Sequence, residues 1–324
     1  MTTDPAPSPA IAPGRRVVLR YRLPAGSSPP LTDVIGEVVT LDPLTVRDSA
    51  GGTVTVTADQ IVAVRVVGPR PVRTGEIRAL EAAAADAWPG LECEMIDGWL
   101  ARAGHGYTDR ANSAVPLGLP GQPARLGRDV LHRLSEWFAA RELPPRLVLP
   151  DRLAPAPPGW HTWGETLVLG LDIDNFVLPQ GPSMVRTAPE PDEAWLQMHA
   201  LRGEAPSEQP VAPPDRDVLT AVREGTLGFA SLGLPRPIAI ARGALTTAPD
   251  GRRWVGLTCV SVAAEHRRHG LAVLVNAELI RWGRDRGATH AYVQVAANNA
   301  GALALYRDLG FVDHHYYRYA APAS

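Results

Sequence analysis

Lysine is missing from this chain: all 32 basic side chains are arginine. The protein therefore offers no lysine amine to its own chemistry, self-acetylation included. Cysteine is nearly missing too. Cys93 and Cys259 stand far apart, which gives neither a disulfide framework nor the paired spacing of a zinc site, so no metal is expected. Long apolar runs are lacking, and nothing approaches the ~20 residues of a membrane span. Neither charge sign dominates: 34 acidic residues against 32 basic leave a net charge of −2. That balance makes a dedicated nucleic-acid binder a poor expectation. Residues 1–13 have no basic n-region and no apolar h-region. They are rich in Pro, Ala, Ser and Thr and read as a disordered tail, which implies a reduced, cytoplasmic setting.

What is present is 324 residues, 45% of them hydrophobic, with a mean hydropathy of −0.07. That length suits two or three cores. Residues 14–68 alternate apolar and polar side chains in five short runs, Val17–Leu19, Val34–Val39, Leu44–Val46, Val54–Val56 and Ile61–Val67. Turn signals such as Asp42-Pro43 and Asp48-Ser49-Ala50-Gly51-Gly52 separate them. Five short strands at that spacing predict a small barrel of the SH3-like kind. It is either a docking module for a peptide or nucleic acid, or a structural appendage.

A linker at 69–74 leads to a region, 76–182, with a predicted helix at Glu76–Trp88, strand-like runs over Glu92–Ala103 and Ser113–Leu117, and a helix at Leu126–Ala140. Short strands follow at Arg146–Leu149 and Thr166–Leu171. The pattern restarts near 183. A strand-like Met184–Arg186 precedes a helix at Glu193–Leu201, a Pro-rich loop over Gly203–Pro214 and a short helix at Asp217–Arg223. Three antiparallel strands are then predicted at Leu227–Leu232, Ile238–Thr246 and Trp254–Val262. Next come an amphipathic helix at Leu271–Arg284, a strand at Ala291–Val295, a helix at Asn299–Leu309 and a last β segment at Phe311–Tyr319.

One junction carries the chemistry. Val260-Ser261-Val262 ends a β-rich run, and Arg267-Arg268-His269-Gly270-Leu271-Ala272-Val273 opens a helix. Glycine and a small residue there let a backbone loop approach an anion, and the helix start adds free N–H groups. Some thirty residues on, Asn299, Ala302, Leu305, Tyr306, Gly310 and Phe311 form a second motif. Together they resemble the signature of the Gcn5-related N-acetyltransferase (GNAT) superfamily, over roughly residues 183–320. Its pyrophosphate motif, Gln/Arg-x-x-Gly-x-Gly/Ala, is filled by Arg267, Gly270 and Ala272.

The resemblance implies an α+β fold with a mixed central sheet, and acetyl-coenzyme A as co-substrate. The backbone of Val260, Ser261 and Val262 would hold the pantetheine arm, and that of Arg268 to Val273 the pyrophosphate. Asn299 would bond the arm, and Tyr306 would protonate the departing sulfur. It implies attack by a primary amine, borne by a small molecule or a protein. Residues 76–182 repeat the element order, with Pro158-Gly159-Trp160-His161 where the later unit has Leu309-Gly310-Phe311-Val312. They read as a degenerate copy, because Leu119-Pro120-Gly121-Gln122-Pro123 replaces the phosphate loop and proline has no N–H. Residues 183–324 would be the catalytic unit. The rival reading is an acyl-coenzyme A sensor or docking protein with a vestigial transferase part.

The general base is not legible. Trp254–Val262 contains no carboxylate, which leaves a water relay or Glu92, Glu94 or Asp97. Cys259 reads as a structural thiol. In Gly106–Ser113, Arg110 could pair an acidic substrate while Asn112 and Ser113 orient it. His266 and His269 flank the phosphate loop as surface groups. His314 and His315 read as solvent-facing, or, with Tyr316, Tyr317 and Tyr319, as part of an acceptor groove.

Overall fold

The alternating first segment folds into β1 (Arg16–Arg22), β2 (Leu31–Leu41), β3 (Leu44–Asp48), β4 (Thr53–Val56) and β5 (Ile61–Val66). In the computed structural model, which describes residues 11–48, 50–68, 70–181, 183–203 and 213–323, they pair antiparallel in the order β4-β3-β2-β1-β5. Val17, Leu19, Val34, Val38, Leu44, Val46 and Val56 form one core, against which Ile61, Val64 and Val66 pack. Both end strands thus reach the same interior, which requires the sheet to curl. Gly36 is needed in β2 because a Cβ there would collide with the Arg47 carbonyl. Residues 1–10 of the expected tail, and 204–212 of the expected Pro-rich loop, lie outside the described residues.

The chain divides into two compact units, 1–71 and 72–324. The second contains α1 (Thr74–Ala87), β6 (Glu92–Ile96), β7 (Trp99–Ala103), β8 (Ala114–Pro116), α2 (Arg128–Ala139), β9 (Leu147–Pro150) and β10 (Trp160–Asp172). It continues with β11 (Arg186–Ala188), α3 (Glu193–Ala200), α4 (Arg216–Thr220), β12 (Thr226–Leu232), β13 (Ala239–Thr247), β14 (Arg253–Val262), α5 (Leu271–Arg284), β15 (His290–Ala296), α6 (Ala300–Asp308) and β16 (Val312–Pro322). One sheet runs through it in the order β11-β12-β13-β14-β15-β10-β16-β9-β8-β7-β6. The β14/β15 and β8/β9 pairs are parallel and the others antiparallel, so the sheet is mixed.

The centre of that order is an exchange. β10, which closes the first half in sequence, lies between β15 and β16. β16, the last strand of the chain, lies between β10 and β9. Each half therefore completes the other's sheet, and residues 72–324 form one body rather than two.

Helix α1 covers the shared face. Ala79, Ala83, Ala84, Ala85 and Ala87 are buried beside Ile77 and Leu80, and small side chains let the helix lie close to the strands. Its Glu81 is buried and meets His315 Nε2 of β16 at 2.8 Å. Glu81→Ala should lower unfolding free energy by about 3 kcal/mol, because it strands a buried imidazole. Chemical denaturation measures this, and an unchanged midpoint would contradict it.

Candidate active site

The site begins with an irregularity in β14. Ile240 pairs with Ser261 and Arg242 with Thr258, so Ala241 alone faces both Cys259 and Val260. This is a β-bulge, and Cys259 takes the left-handed conformation with φ 55°. Pairing between β14 and β15 runs from Trp254↔His290 to Leu257↔Val293 and stops there. Beyond it β14 keeps only β13, and β15 keeps only β10. A wedge opens between them and leaves one backbone edge of β14 without a strand partner. The wedge widens into a cavity of about 590 Å³.

The phosphate-loop residues stand at its mouth. After β14 the chain turns through Arg268 (φ 64°) and Gly270 (φ 75°), both left-handed, into α5. The first N–H groups of a helix have no intrahelical acceptor, and the residues that carry them here, Leu271, Ala272 and Val273, line the cavity along with Arg267 and Arg268. A Cβ on Gly270 would meet nothing within 4 Å, so space for a ligand remains beside it.

The structure brings together Val260, Val262, Arg267, Arg268, Gly270, Leu271, Ala272, Val273, Asn299 and Tyr306, all of which line the cavity. Ser261 and His269 do not. Strand alternation turns the Ser261 side chain away from the face Val260 and Val262 share, which leaves only its backbone to serve the wedge. His269 is exposed.

Asn299 caps α6, its Oδ1 accepting from Ala302 N at 3.1 Å. Tyr306 is 5% exposed and lies edge-on to Phe311 at 5.4 Å. Burial pushes its phenol up to about 12, while neighbouring Asn276 pulls the other way. Asn276 is fully buried in α5. It gives Nδ2 to Ala272 O at 2.8 Å and has no partner for Oδ1. Sequence reasoning misses Asn276, since a lone Asn in an apolar helix carries no motif. Cys259 lines the cavity with its thiol pushed up by burial, which keeps it neutral.

Several expectations need correction. Glu92, Glu94 and Asp97 sit on or beside β6, the far edge of the sheet from β11, with six strands between β6 and β14. Glu92 pairs with Arg141 at 2.8 Å, Glu94 accepts from Trp137 Nε1 at 2.7 Å, and Asp97 pairs with Arg133. None lines the cavity, and no carboxylate does among the described residues. Asn112 and Ser113 are buried and occupied. Asn112 Oδ1 accepts from Gly104 N at 2.8 Å and Gly106 N at 3.0 Å, and its Nδ2 donates to Thr108 O at 2.8 Å. Ser113 Oγ donates to Arg110 O at 3.0 Å. Both lock their own loop instead of orienting a substrate. His315 is buried against Glu81, and half-buried His314 is pushed down to about 3 by burial and by His315. Tyr317 and Tyr319 are buried beside them, and Tyr316 is exposed.

A splayed, bulged strand feeding a left-handed loop and a helix N-terminus, with a tyrosine across the gap, defines the class: an acetyltransferase of GNAT fold. A solved GCN5-related N-acetyltransferase from Kribbella flavida shares that fold, with a TM-score of 0.53 over 78% of this chain and 97% of that one, at 17% identity. Family models described as "Probable histone acetyltransferase Rv0428c C-terminal" and "Rv0428c N-terminal Sm-like domain" match residues 74–320 and 11–65. The chain belongs to this Rv0428c family of GNAT proteins. The "Probable histone acetyltransferase Rv0428c" of Mycobacterium tuberculosis (strain ATCC 25618 / H37Rv) is 41% identical over 309 residues, covering 94% of each chain. The "Uncharacterized N-acetyltransferase YobR" of Bacillus subtilis (strain 168) is 26% identical over 268 residues, covering 75% of this chain and 98% of that one. The first unit, expected as SH3-like, carries the family description Sm-like.

Proposed function

We propose that this protein transfers an acetyl group from acetyl-coenzyme A to an amine by direct attack. The observation that carries the reading is the open edge of β14 beyond Leu257↔Val293, which leads into the Arg268–Gly270 loop. The backbone of Val260 to Val262 would pair with the amide-bearing pantetheine arm as a further strand. The N–H groups of Arg268 to Val273, with Arg267, would hold the pyrophosphate, and Asn299 would meet the arm. The thioester supplies an activated carbonyl and a thiolate leaving group. An N–H at the bulge, from Val260, would polarise the carbonyl. Tyr306 would donate to the sulfur as it leaves.

The amine must lose a proton to attack, and without a lining carboxylate that proton passes to water. The same lack of a carboxylate supports a second reading, a non-catalytic acyl-coenzyme A sensor. A thiol-release assay across an amine panel, with product mass determined, separates the two. Turnover supports transfer, and binding without turnover of any amine supports the sensor.

Residues 76–182 read as a worn copy of 183–324. Each half has a parallel strand pair, β8/β9 and β14/β15, joined through a helix. In the first half Leu119 and Gln122 bond each other's backbone, N to O, both at 2.9 Å. That spends the N–H groups a phosphate would need. Calorimetry should therefore count one coenzyme A per chain, and two would refute the worn-copy reading. The Sm-like unit is proposed as a docking module for a peptide. Deleting residues 1–70 should leave coenzyme A affinity within about threefold, since a separate compact unit contributes separately and none of its residues lines the cavity. A larger loss in a folded truncation would show that the unit shapes the site. The working compartment is proposed to be the cytoplasm; no described helix is long and apolar enough to cross a membrane.

A further inference from the structure

The loop that Asn112 locks carries a tyrosine with no part in the chemistry so far. His105 (φ 50°), Gly106 (φ 72°) and Thr108 (φ 64°) are left-handed there, which costs energy at His105 and Thr108. Asn112 holds that shape, and its Nδ2 also donates to Tyr107 O at 3.0 Å. The loop belongs to the first half of the unit in sequence, yet it docks on the second. His105 Nδ1 meets Asp215 Oδ2 at 2.8 Å, and Asp215 caps α4. Tyr107 Oη meets His199 Nε2 of α3 at 2.9 Å. Arg110, expected opposite an acidic substrate, instead gives Nη2 to Tyr317 Oη at 3.4 Å and does not line the wedge.

The His199 ring is fixed by its neighbours. It stacks on Trp195 at 5.4 Å. Trp195 is held in turn by Nε1 donating to Ala230 O at 3.1 Å and by an edge contact with Phe229 at 5.2 Å. Burial and Arg202 push the imidazole below its ordinary value, so it is neutral at neutral pH. Burial pushes Tyr107 up to about 12, with Cys259 and Asp215 adding to the rise and Arg202 opposing it. The hydroxyl therefore donates and His199 Nε2 accepts. A hydroxyl has one proton to give and two lone pairs, and Tyr107 is only half-buried. Its oxygen can still accept from an N–H that arrives from outside.

This pair adjoins the wedge at the bulge. Cys259 lines the wedge, and it also packs with Tyr107 against the cluster of Trp195, Met198, Phe229 and Ile240. Neither Tyr107 nor His199 lines the cavity assigned to the coenzyme, which leaves them to the acceptor, the molecule that must reach the carbonyl at the bulge from outside. The titratable and charged groups around the pair are His105, Arg202, Asp215 of α4, Arg242 of β13 and Cys259 of β14. The two arginines have no proton to accept. Burial keeps Cys259 neutral. Asp215 is engaged twice, by His105 and by Val218 N at 3.1 Å. The imidazole of His199 is what remains to take a proton.

We propose that Tyr107 and His199 carry the proton from the acceptor amine on its way to water, with Tyr107 as the catalytic residue that touches the ammonium and His199 as the positioning residue behind it. The inference rests on the acetyltransferase reading. As the ammonium proton passes to Tyr107 Oη, the hydroxyl proton passes to His199 Nε2. The electron pair freed on nitrogen forms the new N–C bond, and the C–S bond breaks to give the thiolate that Tyr306 receives. Tyr107 ends as a neutral phenol, and the His199 imidazolium yields its proton to water. A weak base suffices because the nitrogen grows far more acidic as its bond to carbon forms. The first half of the unit thus serves the second through one loop.

The test uses the full chain, saturating acetyl-coenzyme A, and the fastest acceptor among alkyl amines that include a lysine-containing peptide, spermidine and L-lysine. Thiol release gives kcat/KM between about pH 6 and pH 9. An alkyl ammonium has a pKa near 10.4, so if only free amine reacts, kcat/KM climbs about tenfold per pH unit across that range. A base in the site removes the slope. His199, with its value lowered, is neutral above about pH 6.5, so the wild-type profile should be nearly flat from there upward. Tyr107→Phe and His199→Gln should each cut kcat/KM by roughly a hundredfold near pH 7 and restore the slope, so that the gap closes toward pH 9. Coenzyme A affinity by calorimetry should hold. In His199→Gln the amide still accepts the phenol's hydrogen bond but takes no proton, which separates proton transfer from geometry. A wild-type profile that climbs about tenfold per pH unit overturns the inference, whether or not either variant folds. So does an equal loss at every pH in a folded variant, the mark of a structural role. Failure to bind coenzyme A, or binding without turnover of any amine, defeats the acetyltransferase reading instead.

Discussion

Gly270→Glu is expected to leave no measurable heat of coenzyme A binding in a protein that still folds. Position 270 caps α5 with φ 75°, and a Cβ there meets nothing within 4 Å. Sterically the side chain is therefore admitted. The left-handed conformation costs a non-glycine residue roughly 1–2 kcal/mol, a loss that two compact units should absorb. The binding loss has another origin. A carboxylate would stand where the proposed pyrophosphate approaches the N–H groups of α5, and it would reverse the sign of the local field. Two like charges ~4 Å apart at an effective dielectric near 20 repel by about 4 kcal/mol, close to a thousandfold in affinity. Gly270→Ala separates strain from charge. It keeps the φ penalty without the carboxylate and should weaken binding far less. Wild-type affinity in a folded Gly270→Glu variant would sink the phosphate-loop assignment.

What the chain discloses on its own is what is local. The limits of α5, Leu271–Arg284, match the amphipathic spacing, and the loop before it follows from Arg267, Gly270 and Ala272. The five strands of the first unit are legible because each alternates between turn signals. The exchange of β10 and β16 is not legible, because pairing as distant as Trp160 with Pro322 leaves no trace in period or propensity. That exchange also explains the misplaced base. Glu92, Glu94 and Asp97 were plausible only while the position of β6 in the sheet was unknown, and the topology sets that strand at a far edge. Arg242 and His315 were hidden for a different reason. In a strand such as Ile238–Thr246, a single charged residue reads as solvent-facing, yet Arg242 turns inward because carbonyls from two helix ends and the Trp88 ring receive it. The loop around Arg110 was visible as a cluster of donors and acceptors. In the fold Asn112 and Ser113 bond their own loop's backbone while Arg110 Nε is left without a partner.

Tyr306→Phe is expected to lower kcat and kcat/KM together by roughly a hundredfold, within the range of general acid catalysis. Coenzyme A affinity should hold, because the phenol is proposed to act on a thiolate that appears only as the thioester breaks. Tyr306 is buried at the wedge with its phenol pushed up to about 12, against a thiol near 8.5. Full proton transfer to the sulfur is therefore uphill, and the hydroxyl serves chiefly as a hydrogen-bond donor to the developing charge. The same shift fixes the pH response. A group with its folded pKa raised stays protonated until pH approaches that value, so Tyr306 should produce no descending limb in kcat below about pH 11. Stability should fall only slightly, because Phe keeps the edge contact with Phe311 and loses only the contact of the phenol with Asn276. Steady-state kinetics beside calorimetry check both parts. A fall of less than about threefold, with chemistry shown to be rate-limiting, is too small for an acid that acts in the transition state. Tyr306 would then be a packing residue, and water or a backbone N–H would have to stabilise the sulfur.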